Sequence, residues 1–340
     1  IFILAFLGVV TGGSLVLYAL RAPSIAAGTP LAGYSREVLL LINNALFATA
    51  TAMVLIGTIY PILASAMDWG KLSIGAPWFG LMFVLLMAPV VLLIPFGPMT
   101  GWQRDNLRRT LDSLLPALGL SLALGLLAAW LLGGSGLRYY LGVIGGIWLL
   151  LGSGAYVWRH ANRLGRFRVR EWGMLLAHCG VGVFVIGVTV LQATESERDV
   201  RMAPGDTVAI SGYEFRFEGS NSVRGANYQA ERGTLVVSRG EREITRLQPE
   251  KRRYLVSGQV MTEAAIEPGL TRDIYVAMGE QLEQGAWSLR VYVKPYVRWI
   301  WGGAILILAG GLLAATDHRY RRAATADESA EQAPPAGAPA

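Results

Sequence analysis

The chain has little charge, three histidines and a single cysteine. Asp, Glu, Lys and Arg make up 16% of its 340 residues, against 53% apolar residues. That balance, with long uncharged apolar runs, excludes an ordinary soluble globule and requires lipid as solvent. A lone cysteine, Cys179, excludes intramolecular disulfides and Cys-x-x-Cys thiol exchange. Its place in an apolar run predicts an inert buried thiol. No acid–base pair suited to catalysis is visible. The apolar runs also lack internal Asp, Glu, Lys or Arg, which disfavours a secondary transporter, although Pro89 and Pro95 could interrupt one of them.

What is present is a set of seven apolar runs, at 1–20, 38–60, 79–97, 114–132, 139–158, 172–191 and 297–316. Each approaches the roughly 20 residues that a helix needs to cross about 30 Å of hydrocarbon. Continuous runs favour helices, because a membrane barrel shows alternating segments of about 10 residues. Only the third run is expected to break, at Pro89 and Pro95. The expected fold is a polytopic α-helical membrane protein of about seven transmembrane helices, with a β-rich domain inserted before the last.

Charge orients the spans. Segments 21–37, 98–112, 159–171 and the tail from 317 carry thirteen arginines, whereas the opposite short loops hold only Lys71 and Arg138. The Arg-rich side is therefore expected in the cytoplasm. The net charge of +6 is then mostly topological, and nucleic acid is not an expected partner.

Four regions follow: a six-helix membrane region at 1–191, an external domain at 192–296, a last transmembrane helix at 297–316 and a cytoplasmic tail at 317–340. The external domain alternates in the β period around Ser211-Gly212, with Val208 and Ile210 before the turn and Tyr213, Phe215 and Phe217 after it. Runs 234–237 and 244–247 flank Arg239-Gly240, and 287–293 alternates again. Up to Arg298 this region has 15 basic and 15 acidic residues, so it has no net attraction for polyanions. The cluster Glu250-Lys251-Arg252-Arg253 reads as a solvated loop in preference to a partner contact. The tail, rich in Ala, Pro, Glu and Ser, is expected to be disordered. The chain opens inside an apolar run without the pattern of a signal peptide, and the expectation is the C-terminal part of a longer protein.

Among the histidines, His160 and His318 sit at span ends, where an imidazole complements a helix terminus or reaches the interface. His178 lies about six residues into its span, about 9 Å below the boundary. Gly173, Gly180, Gly182 and Gly187 leave bare surface on the same helix, room for another helix or a flat macrocycle. An intramembrane imidazole needs a partner or a ligand. Two readings stand: a helix–helix hydrogen bond to Asn43, Asn44 or a serine, or axial ligation of haem iron.

Several blocks then occur in order: Gly57-Thr58-Ile59-Tyr60-Pro61, the loop 69–79 from Trp69 to Phe79, Glu171-Trp172-Gly173 through His178-Cys179-Gly180, and Glu197-Arg198-Asp199-Val200-Arg201-Met202. Blocks 227–232, 249–254, 261–266 and 294–299 continue the series. Together they resemble the CcmF/CycK family of cytochrome c maturation haem lyase subunits, in its C-terminal portion.

The resemblance implies a bacterial inner-membrane protein with a periplasmic β-domain. In that family, haem from the chaperone CcmE is joined through its vinyl groups to the two thiols of a Cys-x-x-Cys-His motif in apocytochrome c, delivered by CcmH/CcmI-type subunits. A permanent b-type haem held by two transmembrane histidines passes electrons from quinol to the transferred haem, which is the substrate. His178 matches one of those two and is implied as an axial ligand of haem iron. Trp69, Trp78 and Phe79 are candidates for a haem platform or docking surface, or for an interfacial aromatic belt, the reading also given to Trp299 and Trp301. The family's Trp-rich segment, its periplasmic histidines and the second axial histidine have no match here. They are expected before Ile1, in an N-terminal part that would partner this chain. The competing reading is a non-catalytic assembly module that docks partner subunits.

Overall fold

The computed structural model describes residues 2–25, 33–70 and 73–316. The tail from 317, with His318, lies outside them.

Among the described residues, seven helices are long and apolar enough to cross a membrane. They are α1 (Phe2–Ile25), α2 (Arg36–Ala66), α3 (Ala76–Leu93) with the short α4 (Phe96–Met99), α5 (Leu107–Leu132), α6 (Leu137–Arg159), α7 (Val169–Thr194) and α8 (Val297–Ala315). Most overrun the apolar stretch that predicts them, because a helix continues until a cap stops it. α2 begins at Ser35, whose hydroxyl accepts from the amide of Val38, and α5 at Asn106, which accepts from that of Arg108.

The break in the third span differs from expectation. Pro89 is carried inside α3, and only Pro95 interrupts it. α6 is fitted to that interruption: the Trp148 indole donates to the Leu92 carbonyl at 3.1 Å, and a Cβ on Gly152 would lie 2.5 Å from Pro95. Pro61 and Pro116 are likewise carried inside α2 and α5. Membrane helices tolerate such prolines where neighbours re-satisfy the freed carbonyls.

α7 and α8 pack almost backbone to backbone. Gly173 and Gly180 of α7, seven residues apart, meet Gly310 and Gly303 of α8, also seven apart, and Gly187 meets Ile300 of α8. A Cβ on Gly180 would fall 2.7 Å from the Ile307 nitrogen, and one on Gly303 2.6 Å from the Phe184 nitrogen. Gly182 faces Gly146 of α6 instead. The glycines expected to leave bare surface around His178 are thus covered by α8 and α6.

The β-domain is joined to this pair without a linker. Only Glu195 separates α7 from β1 (Ser196–Met202), and only Tyr296, in the left-handed region at φ 56°, separates β10 (Trp287–Pro295) from α8. β1 and β10 pair antiparallel directly above the packed helices. One sheet has the order β1-β10-β9-β8, with β8 at Ala265–Glu267 and β9 at Arg272–Gln281. The other has the order β2-β3-β4-β6-β7, with strands Thr207–Ile210, Tyr213–Arg224, Tyr228–Arg239, Glu250–Tyr254 and Val260–Glu263, while β5 (Arg242–Leu247) also pairs with β4. Alternate residues of both sheets, including Phe215, Phe217, Leu235, Ile274, Met278 and Leu289, fill the core between them. The Ser211-Gly212 turn expected from the sequence connects β2 to β3, both residues having positive φ as a two-residue hairpin requires.

The charged cluster 250–253 is a strand and not a loop. β6 lies between β4 and β7, and Glu250 is buried on it. Its carboxylate accepts from Arg232 Nε and Arg252 Nε, each at 2.7 Å, while the Arg252 guanidinium covers the Tyr228 ring. Burial alone would raise the Glu250 pKa, but the hydrogen bonds from Arg252 and Arg232 outweigh it and hold the carboxyl below its ordinary value. A carboxylate so depressed stabilises the fold fully above its unfolded pKa of about 4.3, and the contribution is lost as pH falls through the lowered value. Glu250→Gln is therefore expected to cost about 1–3 kcal/mol at pH 7 and much less near pH 3. Thermal unfolding of the full chain in detergent at both pH values checks this; an equal loss at both would show that the charge of the Glu250 carboxylate contributes nothing.

Candidate functional site

His178 is positioned by the rotation of α7, which its neighbours fix. The helix starts at Arg168, whose amide donates to Glu171 Oε2 at 2.7 Å, and the Tyr156 hydroxyl reaches Glu171 Oε1 at 3.4 Å. At 100° per residue, Gly173, Gly180 and Gly187 point to α8, and Leu175 and Gly182 point to α6. His178 is left on a third face with Met174, Val181 and Val185, all half-buried.

Among the described residues the His178 imidazole has no hydrogen-bond partner. The helix–helix bond expected as one reading does not form: Asn43 donates to Asn44 at 3.5 Å, and the Ser153 hydroxyl donates to the Leu149 carbonyl at 2.9 Å. His160, by contrast, is satisfied by its own helix. Its Nδ1 lies 2.9 Å from the Tyr156 carbonyl oxygen, and its ring stacks 4.4 Å from that of Tyr156. Cys179 is a free, half-buried thiol.

No group of three His, Cys, Asp or Glu side chains is placed to hold a metal ion among the described residues. A bare metal therefore lacks a cage here. A haem brings its own four equatorial nitrogens and needs from the protein an axial imidazole and apolar walls. An unpartnered imidazole flanked by Met174, Val181 and Val185 fits that requirement from one side.

The aromatic candidates lie at the other end of the bundle. Arg36 donates to the Gly97 and Pro98 carbonyls, and Arg159 to the Ser113 hydroxyl, which ties the start of α2, α4, the start of α5 and the end of α6 together. α7 starts at this same end. Trp69, Trp78 and Phe79 sit at the opposite α2–α3 turn, so the structure does not bring them to His178. Trp78 and Phe79 stack edge to face at 5.0 Å and pack over Gly57 of α2, where a Cβ would fall 2.6 Å from Trp78. Trp69 remains 65% exposed, free to meet a ligand or the lipid interface. Trp299 donates its indole N–H to the Leu270 carbonyl at 3.2 Å, bracing the β-domain on α8, a tie that spacing alone did not reveal.

Comparison with known proteins agrees with this architecture. The CcmF C-terminal beta-sandwich family matches residues 193–295. The cytochrome c-type biogenesis protein CcmF of Pseudomonas aeruginosa is 44% identical over 327 residues, covering 94% of this chain and 50% of the relative. The CcmF protein of Escherichia coli is 40% identical, covering 98% and 52%. The Rhodobacter capsulatus protein ccl1 is 40% identical, covering 96% and 50%. A solved structure described as cytochrome c heme lyase CcmF superposes with a TM-score of 0.70 at 23% identity, over 89% of this chain and 49% of that one, and shares its fold. The chain spans about half the length of the curated relatives it matches. Its seven apolar helices and bacterial relatives make it a multi-pass protein of the bacterial inner membrane. It is a homologue of the CcmF and CycK cytochrome c-type biogenesis proteins, and its residues 193–295 match the CcmF C-terminal beta-sandwich family.

Proposed function

We propose that the chain supplies half of a haem lyase that transfers haem from a CcmE-type chaperone to apocytochrome c, and that His178 is an axial ligand of a b-type haem in it. The observation that supports the site is the imidazole of His178, without a hydrogen-bond partner among the described residues, on a face of α7 turned away from its glycine contacts with α6 and α8. Held by His178, a haem would supply one-electron chemistry. The protein's own part is orientation. The glycine contacts fix the rotation of α7, so the imidazole is presented at a set depth, and apolar neighbours keep water from it.

The second axial histidine belongs to the half of the family protein that this chain does not match, and the Trp-rich haem-handling segment with it. The β-domain faces the periplasm, the Arg-rich end the cytoplasm. There the β-domain, with Trp69 at the same end of the bundle, meets the chaperone, the delivery subunits and the apocytochrome.

The test is reconstitution. An Escherichia coli strain lacking its own CcmF is given this chain together with the unmatched half of the Pseudomonas aeruginosa relative. Covalent haem on a Cys-x-x-Cys-His reporter, read as haem that survives denaturing electrophoresis, is the expected result. Its absence while the two halves copurify would overturn the lyase reading and leave a docking module.

A further inference from the structure

Among the described residues, the buried positions of helix α2 form a single seam. Its buried residues are Ala50, Gly57 and Ala64, seven apart, with Gly57 taking Trp78 and Phe79 of α3. About 100° round the helix runs a second seam at heptad spacing, Asn44, Thr51 and Thr58 alternating with Ala48, Leu55 and Ile62. All six are exposed.

The two threonines are satisfied within the helix: Thr51 donates to the Phe47 carbonyl at 2.8 Å and Thr58 to that of Val54 at 2.9 Å. Asn44 is not. Its Oδ1 takes one long contact from Asn43, and its amide N–H groups have no acceptor among the described residues. It lies eight residues, about 12 Å, along α2 from Arg36. At that depth a carboxamide facing lipid is costly, and lipid tails offer it nothing; another helix does. The length of the relatives indicates where such a helix comes from, since this chain accounts for only 50% of the Pseudomonas aeruginosa protein.

We infer that this seam of α2 receives a transmembrane helix from the half of the family protein that the chain does not match. Ala48, Thr51 and Thr58 let the two backbones approach, and Asn44 hydrogen-bonds across. The inference rests on the likeness to longer relatives and not on the haem reading, so either can fail alone.

The test places a photoreactive benzoylphenylalanine at Ala48 or Thr51 of the full chain, produced with the unmatched half of the Pseudomonas aeruginosa relative. The expected result is an adduct of the two polypeptides from both positions, and none from Ala50 on the α3 seam. Adducts only with a second copy, within the chain or with lipid would overturn the inference, as would no adduct from halves that copurify. In parallel, Asn44→Leu is expected to lower the amount of retained half by about fivefold, the equivalent of about 1 kcal/mol, and Asn44→Gln to restore it. Retention unchanged by Asn44→Leu would remove the hydrogen bond from the seam.

Discussion

A leucine in place of Gly303 is expected to separate α8 from α7 and to loosen the β-sandwich with them. The first added carbon already meets the Phe184 nitrogen at 2.6 Å and the Gly180 carbonyl oxygen at 2.7 Å. These are backbone atoms that cannot rotate away. Because single residues, Glu195 and Tyr296, link the helices to the sheet along the chain, displacement of α8 moves β10, and β10 is hydrogen-bonded to β1 and β9. An expected cost of about 3 kcal/mol or more follows from overpacking a site without slack. Gly302, with nothing within 4 Å of its Cβ position, is the matched control, where leucine should be nearly neutral. The comparison is read as thermal aggregation temperature and protease resistance of the two full-length variants in detergent. Equal behaviour would mean that the glycine seam does not hold the pair together.

That seam shows where sequence reading succeeds and where it stops. Helices were legible because hydrocarbon demands uninterrupted apolar length, and the β2–β3 hairpin because Ser211-Gly212 sits between alternating runs. Glycines 173, 180 and 187 were visible as small residues, but what covers them depends on Gly310, Gly303 and Ile300, more than 110 positions along the chain. β6 was hidden for a different reason. Its Glu250 and Arg252 resemble solvent residues until Arg232, brought alongside by β4, completes the ion cluster. β1, with Glu197, Arg198, Asp199 and Arg201, was hidden similarly, and is held by the Arg290–Asp199 pair across to β10. His178 was legible as an oddity within an apolar run. The structure adds the absence of a hydrogen-bond partner among the described residues, and the separation of Trp69, Trp78 and Phe79 to the other end of the bundle.

The other large effect is expected at His178 itself. Alanine there removes an imidazole that makes no hydrogen bond among the described residues, so the fold should change little. A helix-interior alanine on a half-buried face is well tolerated. Iron ligation, by contrast, has no substitute nearby: Cys179 points toward α6, and His160 is bound to its own helix end. Loss of one of two axial imidazoles would convert a low-spin haem to a high-spin one or release it. Added imidazole should restore the low-spin spectrum by entering the space left by the ring. A merely structural histidine would not respond in this way.

The most direct test of the central claim is the reduced-minus-oxidised absorption spectrum of the chain purified with the unmatched half of the Pseudomonas aeruginosa relative, compared with the same pair carrying His178→Ala. A low-spin b-type spectrum that turns high-spin or disappears in the variant, and returns with imidazole, is the predicted result. A b-type spectrum identical in both would contradict it and remove His178 from the iron.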